Sequence, residues 1–150
     1  MTVRSARAED LPRIVELLEF GALVEGKEDR DDGAAYASAL VEIQATPGCD
    51  VLVAEADGEV VGTCQLIVFR HLQARGGRCA EIESMHVHPD CRSRGIGTEL
   101  LAVAVDAARR AGCYRIQLTS NRRRQDAHRF YEREGMTASH VGFKLLLGAT

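Results

Sequence analysis

Apolar positions recur with two different periods along this chain, and the switches between them mark the elements. Leu11, Ile14, Leu17 and Leu18 fall at helical spacing, with Pro12 suited to a first turn and Ser5 or Asp10 available as a cap. A short strand over 2–5 precedes them. An acidic segment set among Gly21, Gly26 and Gly33 reads as a loop, and 34–43 then resumes a helical pattern that Pro47-Gly48 stops. Residues 51–54 read as a strand, Ala56-Asp57-Gly58-Glu59 as a hairpin turn, and 60–69 as the return strand. The Gly76-Gly77 pair supplies the next turn before a third strand over 79–87. Leu100, Leu101, Ala104, Val105 and Ala108 then share one helical face, with Gly112 as its stop. A strand over 114–118 follows, then a helical stripe of Ala127, Phe130 and Tyr131 ended by Gly135. Val141, Phe143, Leu145 and Leu147 alternate as a last strand.

This order predicts an α/β (α+β) fold: a mixed, mostly antiparallel central sheet flanked by helices. The 150 residues suit a single domain over 1–150, with no repeat and no linker visible. At 45% apolar and 27% charged residues the chain has enough apolar content for a core, which argues against long disorder. No window approaches the ~18 unbroken apolar residues of a membrane span. Met1-Thr2-Val3-Arg4 lacks the apolar run of a signal peptide, so the expected compartment is cytoplasmic, with no membrane partner.

A net charge of −3 gives no general expectation of nucleic-acid binding. Arg122-Arg123-Arg124 lacks interleaved aromatics, and surface solvation or contact with a ligand's phosphates explains it better. Acidic residues concentrate at Glu25, Glu28, Asp29, Asp31 and Asp32. The five cysteines include no C-x-x-C spacing and are expected to be reduced, mostly as small core residues. His86, His88 and Cys91 form a conceivable metal cluster, but the motif around them already accounts for the segment, and no metal is expected.

The most informative stretch is Val87-His88-Pro89-Asp90-Cys91-Arg92-Ser93-Arg94-Gly95-Ile96-Gly97, between a strand and a helix. Two glycines at a helix entry let a ligand approach the backbone, and the first-turn N–H groups favour an anion. Arg92 and Arg94 add positive charge, which makes the loop a candidate pyrophosphate cradle. A Walker loop would end Gly-Lys-Ser/Thr, whereas Thr98-Glu99 follow Gly97 here. A dinucleotide fingerprint needs a third small residue where Leu100 stands.

Here the sequence resembles the GNAT superfamily of N-acetyltransferases. Arg92, Gly95 and Gly97 match the family's Arg/Gln-x-x-Gly-x-Gly/Ala loop, and Val87 and Pro89 match the Val-x-Pro before it. Asn121 followed by Ala127, Phe130, Tyr131, Gly135 and Met136 matches a second motif, with Met136 where Phe is usual. The resemblance implies the GNAT fold, with a splayed strand pair holding acetyl-CoA as co-substrate. It implies that Met85, His86 and Val87 border the pantetheine and that Arg92, Ser93, Arg94, Gly95, Ile96, Gly97 and Thr98 surround the pyrophosphate. It further implies that Asn121 contacts the cofactor arm and that Tyr131 sits near the sulfur.

Direct acetyl transfer needs a neutral amine, so a general base must take a proton, directly or through water. Glu81 and Glu83 share one face of the strand before the loop by its period of two. Glu83 is the first choice of base, with Glu81 the alternative; His86 or His88 could serve through a water. A phenol, with its ordinary pKa of about 10, suits protonation of a leaving thiolate, and Tyr131 fits that role. Cys91 has no supporting constellation for nucleophilic catalysis.

The expected activity is acetyl-CoA-dependent N-acetylation of a small-molecule or peptide amine in a ternary complex; a non-catalytic acyl-CoA-binding or regulatory module is the alternative. In similar enzymes the segment between the first two helices lines the acceptor entrance, so its acidic residues would favour a cationic amine. Homodimers are common among similar proteins.

Overall fold

The computed structural model describes residues 1–24 and 26–148. They fall into two compact units, Met1–Gln117 and Leu118–Thr150. In the first unit the period-two segments become strands and the period-3.6 segments helices, in the order β1 (Thr2–Ser5), α1 (Leu11–Gly21), α2 (Gly33–Ala45), β2 (Asp50–Ala56) and β3 (Glu59–Arg70). A single turn α3 (Gln73–Gly76), β4 (Arg78–Val87), α4 (Ile96–Arg110) and β5 (Cys113–Leu118) follow. The strands lie side by side in sequence order. β1 to β4 are antiparallel neighbours, and β5 returns to the edge beside β4 through the α4 crossover.

One face of the sheet is covered by α1 and α2. Ile14, Leu17 and Leu40 pack there with Ala6, Val53 and Val60. α4 buries Ile96, Leu100, Leu101, Ala104 and Ala108. It lies so close to β3 that a Cβ on Gly62 would stand 2.9 Å from Leu100 Cδ1 and 3.1 Å from Ile96 Cγ2. The start of α1 is tied to the sheet by charge. Asp10, only 6% exposed, accepts from Arg4 Nη1 at 2.7 Å, from Arg4 Nη2 at 3.0 Å and from the Arg7 amide at 2.7 Å. Arg4 also reaches Glu55 on β2, at 2.9 Å through Nε and 2.7 Å through Nη2. These bonds, led by those from Arg4, hold the Asp10 carboxyl below its usual range.

The turns divide into one that follows composition and one that does not. Asp57 (φ +53°) and Gly58 (φ +82°) make the expected left-handed hairpin pair. At the β3–β4 turn, Gly77 has φ −66° and the left-handed positions are Ala74 (φ +50°), Arg75 (φ +58°) and Gly76 (φ +75°). The glycine pair thus supplies only part of that turn. Gly77 instead admits the Tyr114 ring, whose Cδ1 would stand 3.0 Å from a Cβ there.

The second unit carries α5 (Gln125–Arg133), along which Ala127, Phe130, Tyr131 and Glu134 form a half-buried stripe running just past its end. Gly135, at φ +88°, follows the helix. The expected last strand does not form: residues 137–147 have no regular secondary structure, and Val141, Phe143, Leu145 and Leu147 are exposed. Alternation makes a segment competent to be a strand, but a strand also needs neighbouring backbone to pair with, and among the described residues none pairs with this one.

Candidate active site

β4 positions the two carboxylates. Its register pairs Glu81 with Ile67 and Glu83 with Gln65, which puts both glutamates on one face, with Ile82 buried on the other. Gln65 and Thr63 pair with Val51 and Val53, so this is the face covered by α1 and α2. Glu81 is half-buried and accepts from Gln117 Nε2 on β5 at 3.0 Å. Glu83 is exposed.

The regular ladder breaks immediately after Glu83. Thr63 pairs with His86, so one residue of β3 (Cys64) faces two of β4 (Ser84 and Met85). Ser84 takes up the extra length at φ +51°. The bulge brings His86 onto the face of Glu81 and Glu83, which uninterrupted alternation would have given to Met85. The His86 ring lies against Gly21 at the end of α1, where a Cβ would stand 2.0 Å from its Cε1. His88 meets Phe20 edge-to-face at 5.1 Å. Sequence reasoning named both histidines but missed what places them: Gly21 read only as punctuation, and no glycine marks the bulge.

Beyond Val87 the chain makes a short 3₁₀ turn (Pro89–Cys91), in which His88 Nδ1 accepts from the Asp90 amide at 3.3 Å. Arg92 Nε donates to the Val87 carbonyl at 3.2 Å, folding the loop back on the strand end. Ser93 (φ +61°) and Gly95 (φ +80°) are left-handed, and Gly95 is the N-cap of α4 without a side-chain cap. A helix start leaves its first N–H groups without intrahelical acceptors. A Cβ on Gly95 would meet no atom within 4 Å, so the loop is open beside this cap. Exposed Arg92 and Arg94 supply the positive charge. This arrangement fits an anionic pyrophosphate.

In the second unit, the Asn121 side chain accepts from the Arg123 amide at 3.0 Å. Its carbonyl accepts from the Arg124 amide at 2.9 Å, and His128 Nε2 lies 3.0 Å from it. Asn121 therefore builds the entry to α5. Tyr131 is half-buried, with its ring 5.1 Å from that of Phe130.

The acidic segment between α1 and α2 is largely engaged in local structure. Asp32 caps α2 by accepting from the Ala35 amide at 3.2 Å, and Asp29 accepts from the Asp31 amide at 2.9 Å. Tyr36 donates to Glu28 at 2.9 Å. Arg30 pairs with Glu19 at 2.6 Å. Glu25 lies outside the described residues. The cysteines are all free; Cys64 and Cys79 are buried, and burial pushes the Cys64 thiol up to about 12. Among the described residues no helix is long and apolar enough to cross a membrane.

The model of the Acetyltransferase (GNAT) family matches residues 13–136. The aminoalkylphosphonate N-acetyltransferase of Salmonella typhimurium is 34% identical over 141 residues, which is 94% of this chain and 88% of that protein. The L-amino acid N-acyltransferase MnaT of Escherichia coli is 32% identical over 114 residues, 75% of this chain and 65% of that protein. A transcriptional regulator from Bacillus halodurans C-125 superposes with a TM-score of 0.91 at 34% identity, covering 97% of this chain and 99% of that chain.

Proposed function

Because this chain belongs to the GNAT acetyltransferase family and is an N-acetyltransferase, we propose that it acetylates a small primary amine carrying an anionic group, a phosphonate or a carboxylate. In this reading the amine attacks acetyl-CoA directly in a ternary complex. The observation that carries the chemistry is the continuous path along β4, from the paired carboxylates through the bulge to the Gly95-capped start of α4. The class of acceptor is supported by the relatives, which are an aminoalkylphosphonate N-acetyltransferase and an L-amino acid N-acyltransferase.

Acetyl-CoA, when bound, supplies the acetyl group as an activated thioester. Arg92, Ser93, Arg94, Gly95, Ile96, Gly97 and Thr98 would hold its pyrophosphate; Met85, His86 and Val87 would border its pantetheine, and Asn121 its arm. The bulge at Ser84 supports the second assignment, since it frees backbone groups of β4 from the β3 ladder. Glu83 takes the ammonium proton, directly or through a water, and so exposes the lone pair. Glu81, held by Gln117, is the alternative base. His86 lies on the same face, and in this reading a water between it and the amine could carry the proton instead. Tyr131 donates its hydroxyl proton toward the departing sulfur. Metal plays no part in this scheme.

A cationic amine is the second reading, favoured by the acidic segment 28–32. CoA release should be measured over aminoalkylphosphonates, amino acids and polyamines at low and high salt. The highest kcat/KM is expected with aminoalkylphosphonates. Turnover confined to polyamines, and weakened by salt, would overturn the anionic acceptor in favour of the cationic one.

A further inference from the structure

Three arginines stand on β3, β4 and β5: Arg70, Arg78 and Arg115. The first two face each other across the β3–β4 ladder and donate to backbone, Arg70 Nη1 to the Gly76 carbonyl at 2.7 Å and Arg78 Nη1 to the Ala111 carbonyl at 3.0 Å. Arg115 differs. Its Nε donates to Cys79 Sγ at 3.3 Å, and its Cζ lies 5.4 Å from the Tyr114 ring centroid. Among the described residues it pairs with no carboxylate, and neither Nη group makes a hydrogen bond. The side chain is exposed. We propose that Arg115 binds the anionic group of the acceptor, a phosphonate or carboxylate, and so sets which amines are acetylated.

The sheet register places this cation beside the carboxylates. Cys79, Glu81 and Glu83 share one face of β4, paired with Phe69, Ile67 and Gln65 of β3. β5 lies next to β4, and its side chains meet that face in order, Arg115 at Cys79 and Gln117 at Glu81. Cys79 Sγ is also 3.7 Å from Gln117 Oε1. A guanidinium, a buried thiol, an amide and the Glu81 carboxylate therefore follow one another in contact along this face. Arg115 and Gln117 are ~7 Å apart, at ~3.4 Å per residue of strand. A small amine with an anionic far end spans that interval, its ammonium toward the carboxylates and its anion toward the guanidinium. The two Nη groups offer the parallel donors that take a phosphonate or carboxylate through two bonds at once. The Cys79 thiol and the Tyr114 ring hold the guanidinium in place, so less freedom is lost on binding. A cation without a carboxylate partner, one row from two carboxylates, is the charge pattern complementary to a zwitterion. This inference rests on the anionic-acceptor reading above.

The test measures CoA release by wild type, Arg115→Met and Arg115→Lys, with an aminoalkylphosphonate and with the amino alcohol of the same chain length, which lacks the anion. In Arg115→Met the KM for the aminoalkylphosphonate should rise about 10–100-fold, the contribution of charge-assisted hydrogen bonds, with kcat and the KM for acetyl-CoA little changed. The amino alcohol should be turned over equally by both enzymes. Arg115→Lys keeps the charge and loses the fork, so its KM should fall between the two. If wild type prefers the aminoalkylphosphonate and Arg115→Met leaves its KM unchanged, the inference is overturned while the anionic-acceptor reading stands. A wild type with no such preference overturns both. An equal loss on the two substrates also overturns the inference, since Arg115 would then only brace β5 against β4. Arg115 is exposed, so circular dichroism of the variants should match the parent. Should Arg115→Met fail to fold, Arg115→Lys decides, and a wild-type KM for the aminoalkylphosphonate in that variant overturns the proposal.

Discussion

Replacing Arg4 with Met tests the ionic tie that fixes α1, and through it the platform on which His86 rests. Met keeps a long apolar stem and removes the guanidinium. Asp10, 6% exposed, then loses the bonds at 2.7 and 3.0 Å and keeps only the one from the Arg7 amide. Glu55 is more exposed and can rehydrate, so most of the cost falls on Asp10. Leaving a buried carboxylate with one donor costs about 2–4 kcal/mol. In a chain of this length that corresponds to a fall of roughly 5–15 °C in Tm.

The pH dependence carries a sign. Arg4 holds the Asp10 carboxyl below its usual range, so the unfolded chain binds that proton more readily than the folded one. The tie therefore stabilises fully above the unfolded value of about 3.9 and is lost as pH falls through the lower folded value. In Arg4→Met the carboxyl returns toward or above its ordinary value. The stability gap between parent and variant should be widest near neutrality and should close below about pH 4. Urea titrations followed by circular dichroism at neutral and acidic pH measure it. A gap below about 0.5 kcal/mol at neutral pH, or one that does not change with pH, would refute the reasoning. Adding Asp10→Leu to Arg4→Met should restore part of the loss, because it removes the stranded charge.

Tyr131→Phe keeps the ring against Phe130 and deletes the hydroxyl; kcat should fall roughly 10–10³-fold with acetyl-CoA affinity little changed, and a wild-type kcat where chemistry is rate-limiting would reduce Tyr131 to a packing residue. Glu83→Gln should lower kcat/KM by about 10²–10⁴-fold, most for acceptors of high pKa, while Glu81→Gln costs less; the reverse order would make Glu81 the base. Gly95→Ala meets no protein atom and adds roughly 1–2 kcal/mol of backbone strain at its left-handed position. Calorimetry should show weaker acetyl-CoA binding, and unchanged affinity would mean the loop is only a turn. Leu100→Ala, at 0% exposure beneath β3, should cost about 2–5 kcal/mol by thermal melt, and a smaller loss would show that the α4 face repacks easily.

Much of the fold was legible because most elements bury one face and so print a period on the sequence. α1, α4 and α5 each show their stripe, and the Asp57-Gly58 turn its left-handed pair. What escaped has no such print. The β3–β4 turn puts Ala74 and Arg75 in left-handed conformations that neither residue type advertises. The shared face of Glu81 and Glu83 follows from alternation alone, but His86 joins it only through a bulge carried by a serine. The acidic segment reads as a field of charge, whereas Asp32, Asp29 and Glu28 each hold a hydrogen bond inside the turn before or at the start of α2. Alternation at 141–147 identifies a strand-competent segment, but pairing is a property of two segments and cannot be read from one.

The bulge at Ser84 sets durability against chemistry at one residue. Without Ser84, Met85 would face Cys64 and the β3–β4 ladder would run unbroken, with His86 still opposite Thr63. The shorter chain would lose a left-handed non-glycine residue that costs roughly 1–2 kcal/mol, and its two strands would pair more completely. Deletion would also return to the ladder the β4 backbone groups that the proposed pantetheine site uses, so selection for heat resistance alone should favour sturdier proteins that bind acetyl-CoA poorly.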